Sequence, residues 1–159
     1  MSITYSGEEL LEIAIQIERN GYAFYSQVAQ RIGDVSAKKL IMWLAEEEKS
    51  HIGRFEEILS RFSQGEMDMQ PEELEEYTLY LKALADSRVF STEIEAKEAA
   101  LKIKTEKDAI DLAIGFEKDS LLFLSWMKEL IRGPDIAVVE ALQREEMQHL
   151  KKLVGLKGK

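Results

Sequence analysis

Glu48-Lys-Ser-His51 and Glu146-Met-Gln-His149 contain both histidines of the chain, each three residues after a glutamate. Upstream of them stand Ile13-Ala-Ile-Gln-Ile-Glu18-Arg-Asn-Gly-Tyr-Ala-Phe24 and Leu112-Ala-Ile-Gly-Phe-Glu117-Lys-Asp-Ser-Leu-Leu-Phe123, which align along their length. The offset is 99 residues between Glu18 and Glu117, and 98 between the members of the other two pairs. On a helix, a spacing of three puts carboxylate and imidazole on one face, about one turn apart. One glutamate from each of two helices, with a Glu-x-x-His from each of the other two, is the ligand set of a two-metal carboxylate centre in a four-helix bundle. The candidate ligands are therefore Glu18, Glu48, His51, Glu117, Glu146 and His149.

Periodicity and punctuation give the four helices. The first begins near Ser6, whose hydroxyl closes a Ser-x-x-Glu box with Glu9, and stops at Gly33. The second follows Asp34 and runs to about Phe62, before Gly65. Thr105, with Asp108 three residues on, opens the third, which ends at Gly133. Pro134 suits the first turn of the fourth, where a missing N–H is no loss. The expected architecture is an all-α bundle of two hairpins, about 6–62 and 105–156, in a single domain spanning 1–159. A long crossover, 63–104, joins them. It is partly helical, because residues 71–84 and 93–103 both show helical spacing.

Each candidate ligand interrupts an otherwise apolar or small stripe at spacings of three and four. These stripes are Leu11, Ala14, Glu18, Gly21, Tyr25, Val28, Ile32; then Ile41, Leu44, Glu48, His51, Phe55, Ile58, Phe62; then Ile110, Ala113, Glu117, Ser120, Leu124, Met127, Ile131; then Leu142, Glu146, His149, Leu153, Leu156. Four inward carboxylates without compensation would each cost several kcal/mol, so positive charge must sit among them. Two divalent ions balance four glutamates, with neutral imidazoles completing the coordination. Oxygen-rich ligation with one imidazole per metal favours iron or manganese, and the absence of sulfur argues against a closed zinc site. Gly21 and Ser120 are small enough to leave room for dioxygen or peroxide. Glu46, Glu47 and Glu145 read as a solvated face or as partners of the ligands. Tyr22 and Tyr25 read as core packing, with a hydrogen bond to a ligand or electron transfer as the other reading; Trp43, Trp126 and the methionines read as packing.

Composition narrows the function classes. The chain has 159 residues, 45% hydrophobic and 32% charged, with a net charge of −9, which disfavours nucleic acid and anionic lipid as partners. Its longest apolar runs fall short of the ~20 residues of a membrane span, and the acidic start is unlike a signal peptide. These readings place it in the cytoplasm, with no membrane and no nucleic acid. Without cysteine, thiolate catalysis and iron–sulfur clusters are excluded.

With these motifs, the chain resembles the rubrerythrin-type members of the ferritin-like superfamily over both hairpins. The resemblance implies a di-iron centre that reduces hydrogen peroxide, with Glu18 and Glu117 as single carboxylates, Glu48 and Glu146 as bridging carboxylates, and His51 and His149 as terminal nitrogen ligands. Two departures are visible. The third helix lacks the family's second glutamate three positions from the first, having Ile114 and Ser120 there. The rubredoxin domain, built on cysteines, is not represented. The resemblance implies two iron ions as cofactors and peroxide or dioxygen as the reacting partner, while the donor set also suits manganese; the second departure calls for a separate electron-donor protein, and a homodimer is expected in which hairpins can be exchanged between subunits. The expected function is peroxide reduction or ferrous-iron oxidation. The alternative is an iron-binding or storage protein with a ferroxidase centre, and a metal-free scaffold is a third reading.

Overall fold

The computed structural model describes residues 7–63, 83–84, 88–131 and 133–158. Among these residues five helices form: α1 Gly7–Ala29, α2 Val35–Ser63, α3 Glu93–Lys102, α4 Glu106–Leu130 and α5 Asp135–Lys157. This is the expected all-α, ferritin-like bundle, in which α1 pairs with α2, α4 with α5, and α3 lies against α1. The expected cap at Ser6 and the expected helix over 71–84 lie outside the described residues, save Ala83 and Leu84 at its edge, which are helical.

The starts of the helices follow their capping chemistry. Asp34 Oδ2 accepts from the Ala37 amide at 2.8 Å at the start of α2. Thr105 Oγ1 accepts from the Asp108 amide at 3.1 Å at the start of α4. Each satisfies an amide that the helix itself leaves free. The ends differ from expectation. The first helix stops at Ala29 rather than Gly33, because Gln30 and Arg31 turn back to the carbonyls three residues before them, tightening the last turn. Likewise α4 stops at Leu130, and Gly133 takes a positive φ of 79° in the turn before α5, a conformation that costs glycine little.

Contacts at the helix ends fix the chain direction. The end of α1 meets the start of α4, where Arg31 donates to the Ile103 carbonyl. Arg61, late in α2, pairs with Asp135 at the start of α5. Lys157, at the end of α5, pairs with Asp111 early in α4 at 2.8 Å. Within each hairpin the helices are antiparallel, and α1 and α4 also run opposite ways. The chain leaves α2 at one end of the bundle and must re-enter at the other, about 38 Å away for a 25-residue helix at 1.5 Å per residue. That requirement explains the long crossover.

The four inward stripes converge as expected. Every stripe residue of α1 and α4 is buried. On α2 and α5 only Phe62 and Leu156, near the helix ends, are part-exposed. Met42 and Met147 depart from the packing expectation, being 52% and 43% exposed, whereas Trp43, though part-exposed, packs its ring edge-on against His149.

Candidate metal centre

Six titratable side chains meet at the middle of the bundle: Glu18, Glu48, His51, Glu117, Glu146 and His149, each at most 1% exposed. They are the six residues selected from the sequence, and the fold brings all of them together. His51 and His149 lie with their rings stacked, centroids 5.4 Å apart and planes 8° from parallel. Each turns Nδ1 toward the carboxylates.

Two of the four carboxylates reach both rings. Glu146 places Oε1 3.0 Å from His51 Nδ1 and Oε2 2.9 Å from His149 Nδ1. Glu48 lies between the same two nitrogens, Oε2 3.7 Å from His51 and Oε1 3.5 Å from His149. The other two are one-sided. Glu18 Oε2 is 3.3 Å from His51 Nδ1, and Glu117 Oε2 is 3.6 Å from His149 Nδ1. Donor atoms of Glu18, Glu48, His51 and Glu146, and again of Glu48, Glu117, Glu146 and His149, lie within 4.8 Å of one another. Two four-residue cradles thus share Glu48 and Glu146.

The electrostatics show how much positive charge this arrangement calls for. Burial, followed by the fields of Glu146, Glu18 and Glu117, pushes the Glu48 carboxyl well above its ordinary range. Burial and Glu146 do the same to Glu117. Burial alone would depress the imidazoles, yet the Glu146 and Glu18 carboxylates beside His51 push it up to about 11, and those of Glu117 and Glu146 beside His149 push it up to about 10. For Glu146 burial is outweighed by the neighbouring Glu117, His149 and His51 groups, which hold it below its ordinary range. These shifts share one cause, the crowding of carboxylates in a buried site. Both oxygens of Glu48, Oε2 of Glu117 and Nε2 of His149 are buried without a hydrogen-bond partner. Unsatisfied carboxylate oxygens in a dry core are costly, and divalent cations fit this donor set.

Four neighbours complete the cluster. The Tyr25 hydroxyl donates to Glu117 Oε1 at 2.6 Å, so Tyr25 is both core packing and a hydrogen-bond donor to a candidate ligand. Its own ionisation is pushed well up by burial and by Glu117. Ser120 Oγ lies 3.2 Å from both Glu18 Oε1 and Glu146 Oε1. Arg54 holds Glu145, which meets His51 from outside the cradle. The sequence reading left Arg54 unnoticed, although it follows His51 at helical spacing of three.

One expectation is corrected. Gly21 does not open space beside the cluster, because the Phe116 ring fills it: a Cβ at Gly21 would lie 2.3 Å from Phe116 Cζ. The small residue exists to admit that ring. Glu46 lies on the solvated face and Glu145 is a partner of a candidate ligand, the two readings expected of these glutamates, while Glu47 is half-buried at the rim of the site.

Among known families, residues 9–157 match the family model described as Rubrerythrin. No curated protein and no solved structure gave a significant match.

Proposed function

The chain therefore belongs to the rubrerythrin family, and from that premise we propose that it is a non-haem di-iron oxidoreductase that reduces hydrogen peroxide or oxidises ferrous iron. The observation that carries this reading is the sharing of Glu48 and Glu146 between the two imidazoles. One iron would be held by Glu18, Glu48, His51 and Glu146, the other by Glu48, Glu117, Glu146 and His149; manganese suits the same donors. When bound, a ferrous pair supplies two electrons to an oxidant.

The chain's own residues then orient, exclude and donate. A core closed to water keeps bulk solvent from the reacting oxidant. Tyr25 fixes one oxygen of Glu117 by its hydrogen bond, leaving the other free to take a metal. Neither Ile114 nor Ser120 supplies the second glutamate of the family's third helix, and the Ser120 hydroxyl lies against Glu18 and Glu146. We assign the supply of electrons to a separate donor protein. A cytoplasmic homodimer forms part of the same proposal. Among the described residues no helix is long and apolar enough to cross a membrane.

Stopped-flow absorbance of anaerobically loaded ferrous protein, mixed with hydrogen peroxide or dioxygen at matched concentration, tests the activity. Faster oxidation by peroxide is expected. Rapid oxidation by dioxygen followed by a growing ferric mineral would overturn the peroxidase reading in favour of iron storage with a ferroxidase centre.

A further inference from the structure

His51 and His149 present Nδ1 to the same carboxylates, but their outward nitrogens meet unequal surroundings. His51 Nε2 lies 2.9 Å from Glu145 Oε2, and Arg54 Nη2 donates to Glu145 Oε1 at 2.9 Å. The counterpart of Glu145 in the other half is Glu47, 98 residues earlier. Glu47 stops 3.8 Å from His149 Nε2, and that buried nitrogen has no hydrogen-bond partner.

Two exchanges between the halves produce the difference. Lys152 stands where the repeat would put an arginine matching Arg54, and Trp43 stands where the other half has Ala141. The Trp43 ring packs edge-on to His149, centroids 5.2 Å apart. Lys152 Nζ lies 5.2 Å over that ring, a cation–π contact. The cation that would clamp Glu47 is engaged elsewhere.

We propose that Glu145, held by Arg54, is a positioning residue that locks His51 as a nitrogen donor, so that the cradle containing His51 and Glu18 binds its metal first and more tightly than the cradle containing His149 and Glu117. The proposal rests on the di-metal reading of the cluster. The physical basis is the outer hydrogen bond. A carboxylate held against Nε2 fixes the ring's orientation and keeps Nδ1 aimed at the position a metal would take. His149 Nε2 has no acceptor within hydrogen-bond distance, so no outer hydrogen bond fixes the orientation of that ring.

Anaerobic titration of the metal-free full chain with cobalt(II), followed by calorimetry and by visible ligand-field absorption, reads each step separately. The unaltered protein should bind in two steps, the first roughly tenfold or more tighter. Glu145→Leu should weaken the first step by about 10- to 100-fold and alter the absorption of the first ion. Glu145→Gln, which keeps an acceptor, should restore most of the affinity. Glu47→Leu should leave the first step unchanged. Arg54→Met, which leaves Glu145 in place but unclamped, gives an independent reading if Glu145→Leu does not fold, and should also weaken the first step. Two equal steps in the unaltered chain, or equal losses in Glu47→Leu and Glu145→Leu, would overturn the clamp while leaving the di-metal reading intact. A chain that binds no cobalt overturns both.

Discussion

The two hairpins carry the same inward-facing triad on different outer surroundings. Inside, Glu18, Glu48 and His51 mirror Glu117, Glu146 and His149, and both sets are buried. Outside, one imidazole is held by a clamped carboxylate and the other borders an aromatic ring. The difference separates two kinds of constraint. Inward positions answer to charge balance in a dry core, where an unmatched carboxylate costs several kcal/mol. Outward positions face half-exposed groups whose interactions are worth far less, so an arginine in one half can be a lysine in the other without loss of the fold.

The strongest way to break the inward likeness is to remove ligands by class. Glu48→Ala or Glu146→Ala removes a carboxylate that both cradles share, and metal content after anaerobic ferrous loading should fall from about two per chain toward zero, a loss of about 100-fold or more in affinity. Glu18→Ala and Glu117→Ala each touch one cradle and should leave about one metal bound. Elemental analysis of the desalted protein decides the point. Equal retention in all four variants would mean that no carboxylate is shared.

Acid–base behaviour gives the next largest effect, and both hairpins contribute to it with the same sign. His51 and His149 titrate in the fold at about 11 and about 10, above an unfolded value of about 6.5. Their contribution is complete below about pH 6.5 and disappears as pH rises through the folded values. Glu48 and Glu117 are also raised, and their contribution is complete below the ordinary carboxyl value and is lost as pH rises. Glu146, being lowered, acts the other way and loses its contribution only in acid. Metal-free protein should therefore become less stable between about pH 6 and pH 9, whereas bound ions replace the protons and remove that slope. Thermal melts of both forms across this range should show a widening gap. A gap independent of pH would mean that protons and metals do not compete for these groups.

Gly21 and Ser120 occupy matching places, three residues after Glu18 and Glu117, yet one receives a ring and the other donates to carboxylates. Gly21→Ala sets a methyl group 2.3 Å from Phe116 Cζ. That ring cannot swing freely, because it packs against Tyr25 and Phe90 with centroids 5.9 and 6.0 Å away. Alanine's better helix propensity, worth about 1 kcal/mol, offsets only part of an overpacking cost of about 1–3 kcal/mol. We expect chemical denaturation to show a net loss. Ser120→Ala should cost about 1 kcal/mol by removing a hydrogen-bond donor. Greater damage from the serine variant would reverse the assignment of these two small residues.

The helices and the six-residue cluster were legible because both depend on local spacing. Carboxylate and imidazole three apart on an apolar stripe announce their face, and Asp34 and Thr105 announce helix starts by a side-chain acceptor. Relations across the bundle were not legible in the same way. Arg54 meets Glu145 from 91 residues away, Tyr25 meets Glu117 from 92, and Phe116 reaches into Gly21 from the facing helix. Each requires knowing which helix faces which and at what height. The early stop of α1 was also hidden. Gly33 suggested the helix's end, but the chain had already turned at Gln30 and Arg31 with ordinary backbone bonds.

The smallest effect addresses the outer difference directly, by making the second half resemble the first. Lys152→Arg alone should change little, because a guanidinium stacks on Trp43 at least as well as an ammonium does. Trp43→Ala alone removes the ring beside His149 and leaves Lys152 without its aromatic partner, but a lysine offers no planar fork to hold a carboxylate in one orientation. Combined, the two changes give α2 and α5 the same pattern of alanine, glutamate and arginine around each imidazole. A second clamp on Glu47 should then draw it onto His149 Nε2 and tighten the weaker metal step by roughly three- to tenfold, at the low end of what such outer hydrogen bonds contribute. Stepwise cobalt titration of the single and double variants measures this gain. If neither single variant nor the pair moves the second step, while Glu145→Leu still weakens the first, then the inequality of the two halves is set by the inward carboxylates rather than by Trp43 and Lys152.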